Sequence, residues 1–370
     1  MTESIIAITN GIVFTEDKLF NGKAVLIKGT RVLDVVDAYD VPSGAQVVDV
    51  GGDYVVPGFI DLQIYGVGGR LFSADPSAPA MEEIASALVK SGTTGFMITM
   101  ATNTLDVVSD AFEVLKGYRH PALLGLHLEG PYLNPLRRGA HPAEYIRTPV
   151  TTELAGLLER ADGCLRMMTI APERFSSDSI RLLHDSGVIL SAGHSDATFA
   201  EAMSAFKQGV RAVTHLFNAM SPLHHRNPGL PVAAFRSNTA VASIIADGIH
   251  VDYEILALSK QLMGERLFLI TDAVAETHTG IYTHMYKGDR YTLPDGTLSG
   301  SALTMMQAVA NSVRYGGIPL EEALRMATLY PARLIGDGTS GRIAAGARAN
   351  LVVCDSSYSV KQVYLEGAGI

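Results

Sequence analysis

Short apolar runs alternate with amphipathic stretches through most of the chain. Each run is rich in β-branched residues and ends in glycine or polar residues, and a stretch with helical spacing often follows it. Continuous apolar runs of this kind are typical of strands that are buried on both faces of a parallel sheet. The predicted strands are Tyr54–Gln63, Thr93–Met100, Ala122–Glu129, Leu165–Ala171, Val188–His194, Ala212–Asn218, Val241–Asp247 and Leu267–Asp272.

The stretches between these runs carry helix signals. Residues 76–92 place apolar side chains at helical intervals and end in Ser91 and Gly92. Residues 196–209 begin with Asp196, which we predict to cap a helix, and end at Gly209. Repeated strand–helix units of this number predict an α/β fold, a (β/α)₈ TIM barrel, and an open doubly wound sheet is the competing fold.

Both ends of the chain depart from this alternation. Residues 1–53 contain short β patterns separated by turn signals, and residues 341–367 have the same character. We therefore interpret residues 1–54 and 341–370 as two halves of one small β-sandwich domain. Residues 55–340 are then the catalytic (β/α)₈ barrel.

Composition and charge exclude several classes of function. With 370 residues, 47% hydrophobic and 18% charged, the chain can form a large core. Its net charge of −9 disfavours a nucleic-acid surface, which needs a concentrated basic field. Cys164 and Cys354 are too few for a disulfide framework or a cysteine metal site. Neither a signal peptide nor a membrane-length apolar run is evident, so we expect a cytoplasmic protein without a membrane partner.

Four of the predicted strands end in residues that can bind a metal or transfer a proton. In a barrel of this kind, reactive side chains lie at the C-terminal ends of the strands. Glu129, His194 and His215 would form a three-ligand site with an open position for water, which suits Zn²⁺ and is tolerated by Fe²⁺. Asp272 could cap a helix, but we favour a general base that then acts as general acid. A single strand-end histidine is more often structural, so the hypothesis depends on all four residues together.

Groups suited to a phosphorylated sugar follow the sixth and seventh predicted strands. Asn218 and the backbone of Ala219 can hydrogen-bond to a sugar. Arg226 lies in a loop rich in proline and glycine, where an arginine is usually just solvated but can also clamp a phosphate. His250 is a second candidate for a phosphate or hydroxyl contact.

The other histidines receive structural interpretations. His127 precedes Glu129 by two residues and shares its face of the strand, which favours a role in the core. His224 and His225 could be ligands, but adjacent loop residues rarely bind the same metal, so we favour for both either packing or hydrogen bonds to the ligand residues. The remaining ones are expected at the surface: His120, His184, His278 and His284.

Longer motifs in the chain resemble those of the N-acetylglucosamine-6-phosphate deacetylases of the amidohydrolase superfamily. They cover about residues 55–340 and include PGFIDLQIYG, GLHLEGPYLNPLRRGAH, LSAGHSDAT, THLFNAMSPLHHRNPG, IIADGIHVD, LITDAV, GTLSGSALTM and LRMATLYPARLIG. The closing GRIAAGARANLVV is similar to the family's return to its small domain. The resemblance implies metal-dependent removal of the acetyl group from N-acetylglucosamine 6-phosphate. It also implies a homodimer or larger homo-oligomer, with the phosphate site near the subunit contact.

The resemblance further implies roles for individual residues. It assigns metal ligation to Glu129, His194 and His215, catalysis to Asp272, and a contact near the reacting amide to His141. The sugar and phosphate contacts that it implies come from Ala140, Asn218, Ala219, Arg226, His250 and the Leu298–Ser299–Gly300 turn.

Two departures from the family pattern modify these expectations. Many amidohydrolases carry His-x-His after the first strand and bind a second metal there, whereas this chain has Gln63-Ile64-Tyr65. An amide and a phenol are poor ligands beside imidazole, so we predict one divalent ion per subunit and count Gln63 among the substrate-binding residues. Tyr65 would narrow the pocket or contact the sugar. The loop at residues 275–290 also departs from the family pattern and is a candidate lid.

Alternative functions remain open at this point. The chain could be an amidohydrolase for another N-acyl amino sugar phosphate, of the galactosamine or mannosamine type, or for another amide. A non-catalytic sugar-phosphate sensor on a decayed barrel is disfavoured by the intact set of Glu129, His194, His215 and Asp272. A nucleic-acid-binding regulator is disfavoured by the charge.

Overall fold

The computed structural model describes residues 4–278 and 280–370. Its strands in chain order are β1 (Ile5–Phe14), β2 (Leu19–Lys28), β3 (Arg31–Asp37), β4 (Gln46–Asp49), β5 (Tyr54–Pro57), β6 (Phe59–Ile64), β7 (Gly66–Val67), β8 (Arg70–Leu71), β9 (Thr93–Ala101), β10 (Leu123–Glu129), β11 (Leu165–Ile170), β12 (Ile189–Ala192), β13 (Val210–Val213), β14 (Val241–Ile245), β15 (Leu267–Ile270), β16 (Met285–Tyr286), β17 (Arg290–Thr292), β18 (Leu298–Ser301), β19 (Leu351–Cys354), β20 (Val360–Leu365) and β21 (Ala368–Gly369). The helices are α1 (Ala78–Lys90), α2 (Leu105–Gly117), α3 (Thr151–Ala161), α4 (Ser177–Asp185), α5 (Phe199–Lys207), α6 (Gly229–Arg236), α7 (Tyr253–Met263), α8 (Met305–Arg314), α9 (Leu320–Ala327) and α10 (Leu329–Leu334).

A parallel sheet in the middle of the chain closes into a barrel. Its strands pair in the order β6-β9-β10-β11-β12-β13-β14-β15, and helices connect most of them. Residues just after β15 close the ring: Asp272 N donates to Gln63 O at 3.0 Å, and Tyr65 N donates to Ala273 O at 2.9 Å. Closure excludes the open doubly wound sheet, and the predicted (β/α)₈ barrel is confirmed.

The helices begin and end largely where the local sequence indicates. Helix α1 begins after Ser77, whose side chain accepts a hydrogen bond from Ala80 N. The predicted cap of α5 is wrong, because Thr198 caps this helix in a capping box with Glu201. Asp196 lies outside the helix and pairs instead with Arg137, with 2.7 Å between Oδ1 and Nε.

The predicted first barrel strand is in fact two strands that belong to different sheets. β5 pairs with β1 and β19 in the sheet of the chain termini, and only β6 enters the barrel. Gly58 separates them, and a Cβ added there would lie 2.0 Å from Thr94 Oγ1. The chain changes sheets at a position where only glycine fits, and an apolar pattern alone does not mark such a position.

The terminal strands form one sheet, in the order β21-β20-β19-β5-β1-β2-β3 with β4 also paired to β1. The sheet folds back on itself, because Val32 N donates to Ala347 O and Ala349 N donates to Thr30 O, each at 2.9 Å. A separate hydrophobic core that includes Ile8, Val25 and Leu351 fills the space between the layers. Both chain ends therefore build one β unit, as expected, and the division at residues 54/55 and 340/341 stays a prediction.

A small three-stranded sheet, β16-β17-β18, follows the last barrel strand. Leu298, Ser299 and Gly300 lie in strand β18, so the turn expected at these residues is wrong. Strand β18 returns the chain to the barrel, where Ser301 N donates a hydrogen bond to Asp272 O at 3.0 Å. Among the described residues, no helix is both long and apolar enough to cross a membrane.

Candidate active site

Three side chains from three barrel strands converge at the C-terminal end of the barrel. Glu129 ends β10, His194 follows β12 and His215 follows β13. Glu129 Oε1 lies 3.3 Å from His194 Nε2 and 3.1 Å from His215 Nε2, and the two nitrogens are 3.1 Å apart. Tetrahedral ligands at about 2.0–2.2 Å from Zn²⁺ are spaced by roughly 3.3–3.6 Å, so this triangle has the size of a metal site.

The hydrogen bonds of the two imidazoles fit a divalent ion. His194 Nδ1–H donates to the carbonyl of Arg137 at 2.9 Å, which leaves the lone pair on Nε2 inside the triangle. Among the described residues, His215 Nδ1 is buried and has no hydrogen-bond partner. Lone pairs of two nitrogens and one carboxylate oxygen that face one another are unfavourable unless a cation or proton lies between them. The donor set therefore fits a divalent ion of the kind that the sequence predicted.

His141 also approaches Glu129, and its hydrogen bonds indicate a different role. Glu129, His141 and His194 offer donor atoms within 4.8 Å of one another. However, His141 Nδ1 accepts a hydrogen bond from Thr102 N at 3.3 Å, so the neutral ring carries its proton on Nε2. That nitrogen donates to Glu129 Oε2 at 3.0 Å. A ring held in this tautomer is a hydrogen-bond donor toward the site, and we therefore prefer His215 over His141 as the third ligand.

Gln63 and Tyr65 occupy the position where many amidohydrolases have two histidines. Tyr65 hydroxyl donates to Glu129 Oε2, and Gln63 Nε2 lies 2.8 Å from the Tyr65 hydroxyl oxygen. The same amide nitrogen lies 3.0 Å from Glu129 Oε1 and 2.8 Å from Asp272 Oδ1. This network fills the space beside Glu129 with hydrogen-bond donors. A second cation there would meet N–H and O–H groups and not the lone pairs that it needs as ligands.

Asp272 and Glu129 are both buried carboxyl groups, but their pKa values move in opposite directions. Burial raises the pKa of Asp272 to about 8, against the opposing charge of His215. Burial also disfavours ionisation of Glu129, but His194, His141 and His215 outweigh it and hold the pKa of Glu129 well below its usual range. Glu129 thus favours the ionised form that ligation requires, whereas burial favours the protonated form of Asp272, and two carboxyl groups with opposite shifts suit different roles.

The strand-end residues adopt an uncommon backbone conformation. His194, His215 and Asp272 have φ values of 47°, 33° and 55°, and Ala219 has a φ of 47°. L-residues adopt this left-handed region at a cost of roughly 1–2 kcal/mol each. The turns direct the side chains toward the barrel axis.

A cavity of about 410 Å³ opens above these groups. Its wall contains most of the predicted site residues: Glu129, Ala140, His141, His194, His215, Asn218, Ala219, His250, Asp272, Leu298, Ser299 and Gly300. His250 Nδ1–H donates to Asp247 Oδ2 at 2.6 Å, which orients the ring. Burial would raise the pKa of Asp247, but the hydrogen bond from His250 outweighs it and lowers the pKa.

The structure places two of the predicted substrate-binding residues elsewhere. Gln63 is 1% exposed and lies beneath the two carboxylates, outside the cavity lining of the described residues. Arg226 is exposed on the loop after β13 and is likewise outside that lining.

Several cavity residues were not identified from the sequence. The prediction that His284 lies at the surface is wrong, because its side chain is only 4% exposed. It lines the cavity, and its Nδ1 forms a hydrogen bond with Ser299 Oγ at 2.9 Å. Tyr282 from the same loop and Arg137 also line it. The polar residues in an otherwise apolar stretch, TGIYTHMY, were the available signal, but a loop pattern does not reveal which way a segment folds.

Comparison with known proteins places the chain and its fold in one family. The family described as the amidohydrolase family matches residues 54–368. The chain belongs to the amidohydrolase family. The N-acetylglucosamine-6-phosphate deacetylase of Haemophilus influenzae is 34% identical over 375 residues, which cover 98% of each chain. The N-acetylgalactosamine-6-phosphate deacetylase of Escherichia coli O157:H7 is 33% identical over 352 residues, or 91% of this chain and 93% of that protein.

Solved structures give the same picture of this amidohydrolase. The crystal structure of N-acetylglucosamine-6-phosphate deacetylase from Pasteurella multocida superposes with a TM-score of 0.95. The two chains are 34% identical, and the match covers 99% of each. The resemblance stated from the sequence motifs is confirmed, as is the assignment to hydrolases that act on carbon–nitrogen bonds of amides.

Proposed function

We propose that this amidohydrolase removes the acetyl group from N-acetylglucosamine 6-phosphate and releases glucosamine 6-phosphate and acetate. The observation that carries the proposal is the triangle of Glu129 Oε1, His194 Nε2 and His215 Nε2 beside a buried carboxyl group, Asp272, which shares the amide of Gln63 with Glu129. Relatives at 33–34% identity over more than nine-tenths of the chain are deacetylases of amino sugar phosphates, which supports the substrate class.

One divalent ion per subunit fits the ligand set. We propose Zn²⁺, with Fe²⁺ as the alternative, because two imidazoles and one carboxylate suit either ion. When bound, such an ion polarises the scissile carbonyl and makes a water molecule more acidic.

The residues of the chain then divide the proton transfers between them. Asp272 accepts a proton from the attacking water, whose oxygen forms a bond to the amide carbon. His141 redirects its Nε2–H hydrogen bond from Glu129 Oε2 to the carbonyl oxygen as that oxygen gains negative charge. When the carbon–nitrogen bond breaks, Asp272 passes its proton to the amine nitrogen. Gln63, which lies beneath Glu129 and Asp272 and bonds both, positions the two carboxylates for this sequence.

The sugar and its phosphate occupy the polar part of the cavity in this proposal. We assign the contacts with hydroxyl groups to Asn218, the backbone of Ala219 and Ser299, all of which line the cavity. His250, oriented by Asp247, binds the phosphate in this proposal, together with Arg226, which is exposed on the loop after β13 and lies outside the cavity lining of the described residues. The expected homodimer and the cytoplasmic location belong to the same proposal, and the latter agrees with two unpaired cysteines, Cys164 and Cys354.

The decisive experiment measures acetate release from N-acetylglucosamine, N-acetylgalactosamine and N-acetylmannosamine, each with and without the 6-phosphate. The protein is first treated with a chelator and then given defined amounts of Zn²⁺ or Fe²⁺. We expect release only after metal is returned, and a kcat/KM for phosphorylated substrates that is at least 100-fold higher. Absence of acetate release from every sugar phosphate, with metal bound, would refute the proposal.

Arg226→Ala tests the phosphate contact separately. We expect KM for the phosphorylated sugar to rise about tenfold or more, since a charged hydrogen bond contributes roughly 1.5–3 kcal/mol. Arg211→Ala, an exposed arginine on β13, is the control and should leave KM unchanged. An unchanged KM in Arg226→Ala would remove Arg226 from the site.

The second candidate function is deacetylation of N-acetylgalactosamine 6-phosphate. It is favoured by relatives of that activity in Escherichia coli O157:H7 and a Shewanella species, at 33% and 35% identity. The two sugars differ at one hydroxyl group, and the same substrate panel decides between them by kcat/KM.

A further inference from the structure

One wall of the active-site cavity is apolar. Five buried side chains pack there in a hydrophobic cluster that is distinct from the barrel core, and we refer to them as the apolar wall: Tyr65, Leu71, Ala101, Val274 and Tyr282. All five line the cavity. They come from segments distant in sequence, namely the ends of β6, β8 and β9 and the chain that follows β15.

The apolar wall is held rigidly next to the reacting groups. The Tyr65 hydroxyl donates to Glu129, and the Tyr282 hydroxyl donates to Thr102 O at 2.7 Å. The ring of Tyr282 meets that of His141 edge to face, with 6.4 Å between centroids. With both hydroxyl groups engaged, these tyrosines present their ring carbons to the cavity.

The geometry of an amide assigns a substituent to each part of the cavity. The carbonyl carbon must lie between the Glu129–His194–His215 triangle and Asp272, where water can attack it. The acyl substituent and the nitrogen substituent leave this carbon in different directions, about 120° apart. The sugar on the nitrogen requires hydrogen-bonding groups, and the part of the cavity that contains Asn218 provides them. The acyl substituent leaves in the other direction and requires a part of the lining without such groups, which the apolar wall offers.

We infer that the apolar wall is the acyl-binding pocket and that it restricts the substrate to short, unbranched acyl groups. This inference rests on the proposed function. The wall side chains are each at most 7% exposed, so little free space remains behind them. A methyl group replaces water against apolar carbons, whereas each further methylene must displace a wall side chain. Discrimination by one methylene in an apolar pocket is about 10- to 200-fold.

The test compares N-formyl, N-acetyl, N-propionyl and N-butyryl glucosamine 6-phosphate as substrates of the metal-loaded protein. For the wild type we expect kcat/KM to fall about tenfold or more with each carbon beyond acetyl. Leu71→Ala, which removes the side chain at the end of β8, should raise the butyryl-to-acetyl ratio at least tenfold. Ala101→Val adds volume to the wall and should shift preference from acetyl toward formyl.

Leu115→Ala is the matched control. Leu115 in α2 is 4% exposed, as is Leu71, but it lies away from this cavity. This variant loses the same side-chain volume and should keep the wild-type order of acyl groups. Each variant is checked for folding by thermal unfolding, and either Leu71→Ala or Ala101→Val suffices if the other fails to fold.

The outcomes separate this inference from the proposed function. Hydrolysis of the acetyl substrate together with equal hydrolysis of the butyryl substrate would overturn the acyl pocket and leave the deacetylase proposal intact. The same holds if acetyl is preferred but neither wall variant changes the ratios. If no N-acyl sugar phosphate is hydrolysed, the proposed function fails and the inference fails with it.

Discussion

Replacement of Asp61 by asparagine should change the pH dependence of stability without changing the site. Asp61 is fully buried on β6, where Oδ1 accepts hydrogen bonds from Gln63 N at 3.2 Å and Thr271 N at 3.3 Å. Oδ2 accepts from Thr271 Oγ1 at 2.5 Å. The carboxyl group thus joins β6 to the end of β15, directly below Gln63 and Asp272. Asparagine has the same shape and keeps the oxygen that both backbone groups use.

The expected magnitude follows from the pKa of Asp61. Burial raises this pKa from 3.8 to about 7, although the three hydrogen bonds oppose the rise. Between these pH values the native state keeps a proton that the unfolded state has lost, so stability falls as pH increases. Each pKa unit corresponds to about 1.4 kcal/mol, and the fall is therefore about 4 kcal/mol in total, most of it between pH 4 and pH 7. Above pH 7 the destabilisation is complete. Asp61→Asn removes it because an amide does not titrate.

The assay is urea-induced unfolding of wild type and Asp61→Asn at pH 4.5, 6 and 8 with the same metal content. The variant should gain stability relative to wild type as pH increases, by about 3–4 kcal/mol over this range. Asp17→Asn, at an exposed loop position, is the control, and its difference from wild type should stay nearly constant. A difference between Asp61→Asn and wild type that does not change with pH would show that burial does not raise this pKa.

Further predictions concern the site and the junction of the sheets. Asp272→Asn should lower kcat by about 100- to 10,000-fold with metal content unchanged. The same substitution should remove the rise of activity with pH, because Asp272 must be ionised to act as a base. A kcat of the variant within tenfold of the wild type would contradict this role of Asp272. His215→Ala should lose its metal on dialysis, as measured by elemental analysis. Chelation of the wild type should lower its Tm, because the native state loses the free energy of metal binding, about 2.7 kcal/mol at a metal concentration of 100 Kd. Gly58→Ala should destabilise the protein by about 1–3 kcal/mol in thermal unfolding, because the added Cβ would collide with Thr94. Gly117→Ala is the control and should be neutral or stabilising, because the space around Gly117 is open.

The fold and the centre of the site were predictable because they follow from local patterns. Apolar runs gave the barrel strands, and parallel strands that close into a barrel place their C-terminal ends together. Glu129, His194, His215 and Asp272 therefore met as expected from their positions at strand ends. No contact had to be known in advance for that prediction.

Two of the errors share a physical cause. Tyr54–Pro57 has the same apolar pattern as a barrel strand, and its membership in the terminal sheet depends on pairing with β19, almost 300 residues later. His284 became buried because Tyr282 anchors its loop to Thr102. Such contacts join residues far apart in sequence, and periodicity carries no information about them.

The backbone of the strand ends links the fold to the chemistry. A strand that simply continued would alternate its side chains between the barrel interior and the helices. Both histidines, together with Asp272, instead adopt positive φ immediately after their strands. Three such residues cost roughly 3–6 kcal/mol, which is a large fraction of the stability of a typical domain. The positive φ values do not improve the packing of the core, because the side chains that they orient are polar and converge on one point. Strain at residues whose lone pairs face one another supports the proposal that these lone pairs bind a ligand.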